Sequence, residues 1–188
     1  MPLLSVDDLL PHRPMRVTVN GTSGSGKTTL ATRIGKVLDL PHTETDGLFH
    51  GPGWTPRPDF LDQVRKLTSQ PRWVCEYQYD PARPLIADRA DLVVWLDLPV
   101  PIVMWRVVRR TAVRRLLRQE LWNGNREGPL RAFFTDREHI VRYAWTSRHM
   151  AEDRVRCLLA SHPALPVVRL RSHREVERWL AGPLTAAR

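Results

Sequence analysis

The chain has 188 residues, 42% of them hydrophobic, enough to enclose one sizeable core. Its formal net charge is +9, and of 29 basic residues only Lys27, Lys36 and Lys66 are lysines; such a balance suits nucleic acid, an acidic surface or a phosphorylated substrate. No apolar run reaches the roughly 18 residues that a membrane-spanning helix needs.

From the N-terminus, MPLLSVDDLLPHRP lacks a basic segment and a long apolar stretch, so it does not read as a signal peptide. MRVTVN (15–20) predicts a buried strand, followed by a glycine-rich loop and a helix from Lys27 to Leu38. PHTETD (41–46) predicts a short strand and GLFHGPGWTPRP a turn-rich loop, after which Asp59 is placed to cap the helix FLDQVRKLTS. RWVCEY (72–77) is a third strand, with a weak helix at 82–89. DLVVWLDLP (91–99) is a continuous apolar strand that Pro99 ends.

A long helix is expected from Val100 to Arg118 and another from Asp136 to Leu159, separated by LWNGNREGPL (121–130). PVVRL (166–170) and HREVERWLA (173–181) supply the last strand and helix. Apolar, non-alternating strands interleaved with helices predict an α/β domain, with about five parallel strands and helices on both faces in three layers. No repeat or linker divides the chain, so 1–188 reads as one domain. Cys75 and Cys157 show neither metal-ligand spacing nor a disulfide framework, and a reducing, cytoplasmic home is expected.

The stretch NGTSGSGKTTLATRI (20–34) carries the clearest chemistry. Gly21, Gly26, Lys27 and Thr28 fill every fixed position of G-x-x-x-x-G-K-[ST], the phosphate loop or Walker A motif. Its glycines let successive N–H groups of Gly21, Thr22, Ser23, Gly24, Ser25, Gly26, Lys27, Thr28 and Thr29 turn toward phosphate oxygens at a helix N-terminus. In that motif Lys27 reaches the β- and γ-phosphates of ATP, and the Thr28 hydroxyl ligates Mg²⁺. A strand before and a helix after supply the context the motif requires.

The loop alone does not name a reaction. A motor ATPase needs a second subdomain for which the chain has little room. A switch GTPase would show Asn-Lys-x-Asp, and no such tetrad occurs. A compact kinase with an arginine-rich insert fits the remaining residues.

The series GTSGSGKTTLA, TDGLFHGPGW, CEYQY, ADLVVWLDLP and WRVVRR resembles the adenylate-kinase-like P-loop kinases, and within them the topology-modulation-protein-related branch, from about residue 15 to 181. Asp46, Leu48 and Pro52-Gly53-Trp54 stand where that branch places Asp-x-Leu and Pro-Gly-Trp. The resemblance implies an ATP- and Mg²⁺-dependent phosphotransferase in three segments: strand and phosphate loop at 14–38, acceptor-binding region at 46–90 and arginine-rich lid region at 106–150.

Asp46 follows the second strand on the side where the phosphate loop emerges, so its carboxylate is placed to take a proton from an acceptor hydroxyl; the alternative is a turn residue before Gly47. His42, Glu44 and His50, close by, suit a surface loop better than a zinc site. The adenylate-kinase pattern implies a Mg²⁺-side Asp-Gly where this chain has Glu76-Tyr77, with Tyr77 filling space beside the acceptor. Asp97, ending LVVWLD, competes with Glu76 for the metal.

Arg106, Arg110, Arg114 and Arg118 recur every four residues and share one helix face, so an anion belongs opposite them. The resemblance implies that Arg106 and Arg110 close over the phosphates, with Arg142 and Arg148 as second clamps. It also implies a metal-free lid at LWNGNREGPLRAFF, hinged at 122–125 and at Gly128-Pro129, and an adenine site beside Arg171-Ser172-His173.

The acceptor is expected to be a small metabolite carrying a hydroxyl or phosphate, of nucleotide, nucleoside or sugar type. The alternatives are a nucleic-acid-associated P-loop protein, which the charge favours, and a kinase-like toxin or antibiotic-modifying enzyme. Neither the acceptor nor the oligomeric state is written in the sequence.

Overall fold

The computed structural model of the chain describes residues 3–116 (the side chains of 114 and 115 excepted), 123 and 149–188. Six strands form one all-parallel sheet: β1 (Leu3–Leu4), β2 (Arg16–Gly21), β3 (His42–Thr43), β4 (Trp73–Glu76), β5 (Leu92–Leu96) and β6 (Val167–Leu170). The order across the sheet is β1-β6-β5-β2-β4-β3, which puts β2 between β4 and β5. One strand exceeds the expected five, because β1 is two residues long and is defined only by pairing Leu3 and Leu4 with Val167 and Val168.

Among the described residues the α-helices are α1 (Lys27–Leu38), α2 (Thr45–Phe49), α3 (Phe60–Thr68), α4 (Arg83–Ala87), α5 (Val100–Leu116), α6 (Met150–Ser161) and α7 (His173–Trp179). Alternation along each strand assigns them to faces. Val17 and Val19 of β2, Val94 and Leu96 of β5 and Val168 and Leu170 of β6 pack with Ile34 and Leu38 of α1 and Trp179 of α7. Trp73 and Cys75 of β4, Val93 and Trp95 of β5 and Val167 of β6 pack the other way, with Phe60 and Val64 of α3, Ile86 of α4 and Val155 and Leu158 of α6. Each large side chain buried here contributes about 1.5–3 kcal/mol of transfer free energy. The result is three layers, helix–sheet–helix.

Two expectations change. Thr45–Phe49 is a helical turn and Pro52–Trp54 a 3₁₀ turn, so the strand predicted at 41–46 stops at Thr43. Pairing of His42 and Thr43 with Val74 and Cys75 ends there, and Thr45 turns its N–H to a side chain instead of a strand. Asp59 occupies the position before α3 but its side chain does not cap it. Its carboxylate is taken by Arg57 (2.7 and 3.0 Å) and Gln63 (3.1 Å).

The parallel sheet brings the ends of β2, β3, β4, β5 and β6 to one edge, where the phosphate loop, Asp46, Glu76 and Asp97 all lie. α6 is pinned to that edge by the buried Asn20, whose amide donates to the Ala151 carbonyl at 2.8 Å. Among the described residues no helix is long and apolar enough to cross a membrane.

Candidate active site

The phosphate loop leaves β2 at Gly21 and enters α1 at Lys27. Gly24 and Gly26 have φ of 82° and 101°, left-handed values that a side chain would strain. A Cβ on Gly24 would also lie 2.2 Å from Cγ2 of Val107 on α5, so α5 packs directly on the loop. The Ser25 hydroxyl is buried without a hydrogen-bond partner, an orphaned polar atom of the kind a ligand oxygen satisfies. Thr29 is exposed, while Thr22, Ser23 and Thr28 are half-buried.

Lys27 stretches back along the loop, and its ammonium donates to the Thr22 carbonyl at 3.1 Å. Burial lowers its pKa from 10.5 to about 8; Arg154 and Arg110 push the same way, while Asp46 and Glu76 oppose the shift. Two carboxylates and two arginines thus act electrostatically on the Lys27 ammonium.

Glu76, at the end of β4, is buried. One oxygen accepts from the Thr45 N–H at 3.0 Å, and the other lies 3.4 Å from His42 Nε2. Burial raises its pKa, but hydrogen bonds from His42, Thr45 and the Thr28 hydroxyl, with the His42 charge, outweigh it and hold the group below its ordinary value. Glu76 therefore sits as an anion against Thr28, a carboxylate and a hydroxyl side by side as Mg²⁺ prefers. Among the described residues no group of three His, Cys, Asp or Glu side chains converges as a metal cage.

His42 is thus not a surface-loop residue. It bridges Glu76 to Thr32 of α1, its Nδ1 lying 3.1 Å from the Thr32 hydroxyl. Asp97, in contrast, is occupied by Arg169, whose Nε and Nη2 donate to one of its oxygens at 2.8 and 2.5 Å. The Arg169 guanidinium also lies over the Trp95 ring, 4.4 Å from its centre.

Asp46 lies in the first turn of α2. Gln78 Nε2 and the Tyr79 hydroxyl both donate to its Oδ1. Tyr79 Oη is also 3.1 Å from His50 Nε2. Around them Phe49 stacks on Tyr79 at 4.0 Å between ring centres, with Phe60 and His50 edge-on and Trp54 beyond His50. His50, read from sequence as a surface-loop residue, belongs to this cluster. Tyr77 does not face the acceptor side: it is buried in the core beside Trp73 and Phe60. Tyr77, just past the end of β4, turns into the core, and the non-strand segment after it, in which Tyr79 takes a left-handed φ of 62°, brings Gln78 and Tyr79 to Asp46.

From α5, Arg106 Nη1 donates to the Ser25 carbonyl at 3.2 Å, and Arg110 is close enough to depress the Lys27 pKa. Arg118, Arg142, Arg148, the expected lid segment except Asn123, and the side chain of Arg114 lie outside the described residues. Asn123 donates to the His50 carbonyl at 2.5 Å. The expected adenine turn serves first as a helix cap: Ser172 accepts from the Glu175 N–H at 3.1 Å, and Glu175 accepts from the Arg171 N–H at 2.7 Å.

Arg154 of α6 was not legible as a site residue. It acts electrostatically on both Lys27 and Tyr77, and its Nε is buried without a hydrogen-bond partner. Arginines crowd this chain, and tertiary contacts of α6, the bond from Asn20 to Ala151 and the core packing of Val155 and Leu158, bring this one to the loop.

No protein-family model and no curated protein sequence matches the chain. Solved structures with a similar backbone include a gluconokinase from Sinorhizobium meliloti 1021 (18% identity, TM-score 0.49, 94% of this chain and 95% of that one). A shikimate kinase from Aquifex aeolicus vf5 (14%, 0.48, 89% and 92%) and a sugar kinase from Janibacter sp. HTCC2649 (20%, 0.46, 95% and 99%) are two more. With TM-scores below 0.5, these likenesses assign neither substrate nor residue roles to this chain.

Proposed function

We propose that the protein is an ATP-dependent phosphotransferase acting on a small acceptor bound near Asp46. One observation carries the reading. A phosphate-loop lysine, a loop-side hydroxyl with its own anionic carboxylate, and a second carboxylate fixed by neighbouring side chains face one another at a single sheet edge.

In this reading the loop from Gly21 to Thr29 holds the polyphosphate of ATP, the buried Ser25 hydroxyl among its donors. Thr28 and Glu76 would hold Mg²⁺, which would supply positive charge to offset that of the phosphates. Asp46 accepts the proton of the acceptor hydroxyl as that oxygen bonds to the γ-phosphorus. The bond from phosphorus to the β-bridging oxygen breaks, and ADP leaves with the electron pair. Lys27, Arg106, Arg110 and Arg154 surround the transferring group, where fixed cations stabilise charge that grows in the transition state.

The aligned pieces Asp46, Leu48 and Pro52-Gly53-Trp54 flank the acceptor side and support the finer placement in the topology-modulation-protein-related branch. Two free thiols, Cys75 buried and Cys157 exposed, accord with cytoplasmic residence. The kinase works as one domain in this account.

The test is ³¹P NMR of Mg·ATP with the full chain, alone and with a nucleoside monophosphate, a nucleoside, an aldose and an aldonate. A new phosphorylated product, an ester on a hydroxyl or an anhydride on the monophosphate, that disappears in both Lys27→Ala and Asp46→Asn is the expected result. ADP and free phosphate alone with every acceptor would overturn the proposal.

A further inference from the structure

The carboxylate of Asp46 is held by the segment that follows β4, not by its own helix. Oδ1 accepts from Gln78 Nε2 and from Tyr79 Oη, the latter at 2.5 Å. Two donors fill both in-plane lone pairs of that oxygen. Oδ2 receives no hydrogen bond from the described residues.

The hydrogen count extends one residue further. The single phenolic proton of Tyr79 is committed to Asp46, so the contact of 3.1 Å between Tyr79 Oη and His50 Nε2 requires His50 to donate. His50 is thereby held as the Nε2–H tautomer. Its Nδ1 is buried and has no partner, as a lone pair without a proton would be. The tyrosine ring is fixed independently, by Phe49 stacked at 4.0 Å and 19° and by Phe60 edge-on at 5.4 Å. Tyr79 holds a backbone φ of 62° that a bulky residue adopts only under constraint.

We propose that Tyr79, aided by Gln78, is a positioning residue that locks the Asp46 carboxylate so that Oδ2 alone faces the acceptor. The inference rests on the kinase reading above. The terminal torsion of an aspartate is broad and roughly two-fold, so an unclamped carboxylate would present either oxygen in many orientations. The clamp removes that freedom before the acceptor arrives, the pre-organisation that proton abstraction rewards. During transfer the acceptor O–H bond breaks toward Oδ2 while its oxygen bonds to phosphorus; the proton later passes to solvent. Because Oδ1 is saturated, only Oδ2 is left to engage the acceptor. The residue beside Glu76, Tyr77, is buried in the core, and the role falls to the two residues after it, where the chain has left the strand.

The experiment uses Tyr79→Phe, which keeps the ring stack and deletes only the hydroxyl, with Gln78→Met as a second variant. Both are assayed with Mg·ATP and whichever of the four acceptors named above the wild type phosphorylates. Tyr79→Phe is expected to lower kcat about 10–100-fold while KM for Mg·ATP and for the acceptor stays within about threefold; Gln78→Met lowers the same parameter less. Independently of any acceptor, long-range ¹H–¹⁵N correlation on the free protein should show His50 as the Nε2–H tautomer in the wild type and lose that preference in Tyr79→Phe. Product formation by the wild type with an unchanged kcat in Tyr79→Phe would overturn the inference and leave the kinase reading standing, as would a loss confined to KM or an unaltered His50 tautomer. No phosphorylated product with any acceptor would overturn both.

Discussion

Lys27 lowers the stability of the nucleotide-free protein, and that cost can be measured. Its pKa is lowered from 10.5 to about 8, chiefly by burial, and the attraction of Asp46 and Glu76 is already included in that net value. Between pH 8 and 10.5 the unfolded chain holds a proton that the folded chain does not, so stability rises with pH across that window. The penalty is complete below pH 8 and absent above 10.5. Taken whole, the displacement corresponds to about 3 kcal/mol. Lys27 as a whole is only partly buried, which discounts that figure to about 1–3 kcal/mol.

Lys27→Met keeps a stem of similar shape and deletes the charge. Without nucleotide at pH 7 it should be more stable than the wild type by about 1–3 kcal/mol, a rise in Tm of roughly 3–8 °C for a chain of this size. At pH 9.5 the gain should shrink to less than about half, because most of the folded protein has then already shed the proton. With Mg·ATP the order should reverse, since the variant loses the contact that nucleotide binding uses. Differential scanning calorimetry at the two pH values, with and without nucleotide, reads all three results. A variant no more stable than the wild type at pH 7 would refute the reasoning.

Glu76→Gln should raise the Mg²⁺ concentration for half-maximal transfer about tenfold or more, because the carboxylate charge beside Thr28 is gone; a metal titration checks it, and an unchanged requirement would shift the metal role to Asp97. Gly24→Ala should destabilise the protein by about 2–4 kcal/mol and abolish Mg·ATP binding, from a strained φ together with a clash on Val107. Chemical denaturation reads the first effect; adding Val107→Ala should cost less than the two changes summed, since it relieves the contact but not the φ. Arg154→Ala should lower kcat about 10–100-fold and move the upper limb of the pH profile upward, because the repulsion that helps depress Lys27 is removed.

Much of the architecture was legible locally. β5 is a run of five apolar residues, too short for a helix and stopped by proline, and any such run beside helices must be buried on both sides. Gly26 before Lys27 marked the start of α1 to the residue. Those signals are near-neighbour physics: backbone conformations only glycine tolerates, and side-chain period.

The sixth strand escaped because two residues carry no period, and β1 exists only where β6 offers an edge. The misplaced cap at Asp59 has a similar cause, since Arg57 competes for the same carboxylate and brings its pKa down to about 2.

The candidate site divides in the same way. The sequence by itself determined the glycine-rich loop between β2 and α1, because its left-handed turns at Gly24 and Gly26 are set by consecutive residues. It also brought Asp46 and Glu76 forward, as acidic residues at strand ends. Only the tertiary structure decided their partners. Glu76 meets Thr28 because β4 lies beside β2, and His42 reaches Glu76 because β3 lies beside β4. Asp97 is withdrawn by Arg169 from the neighbouring strand. Arg154 comes to Lys27 across more than a hundred residues of chain because a buried amide on β2 holds α6 in place. Local sequence fixes what each segment can do, whereas contacts between segments far apart in the chain depend on strand order and on which face each side chain takes.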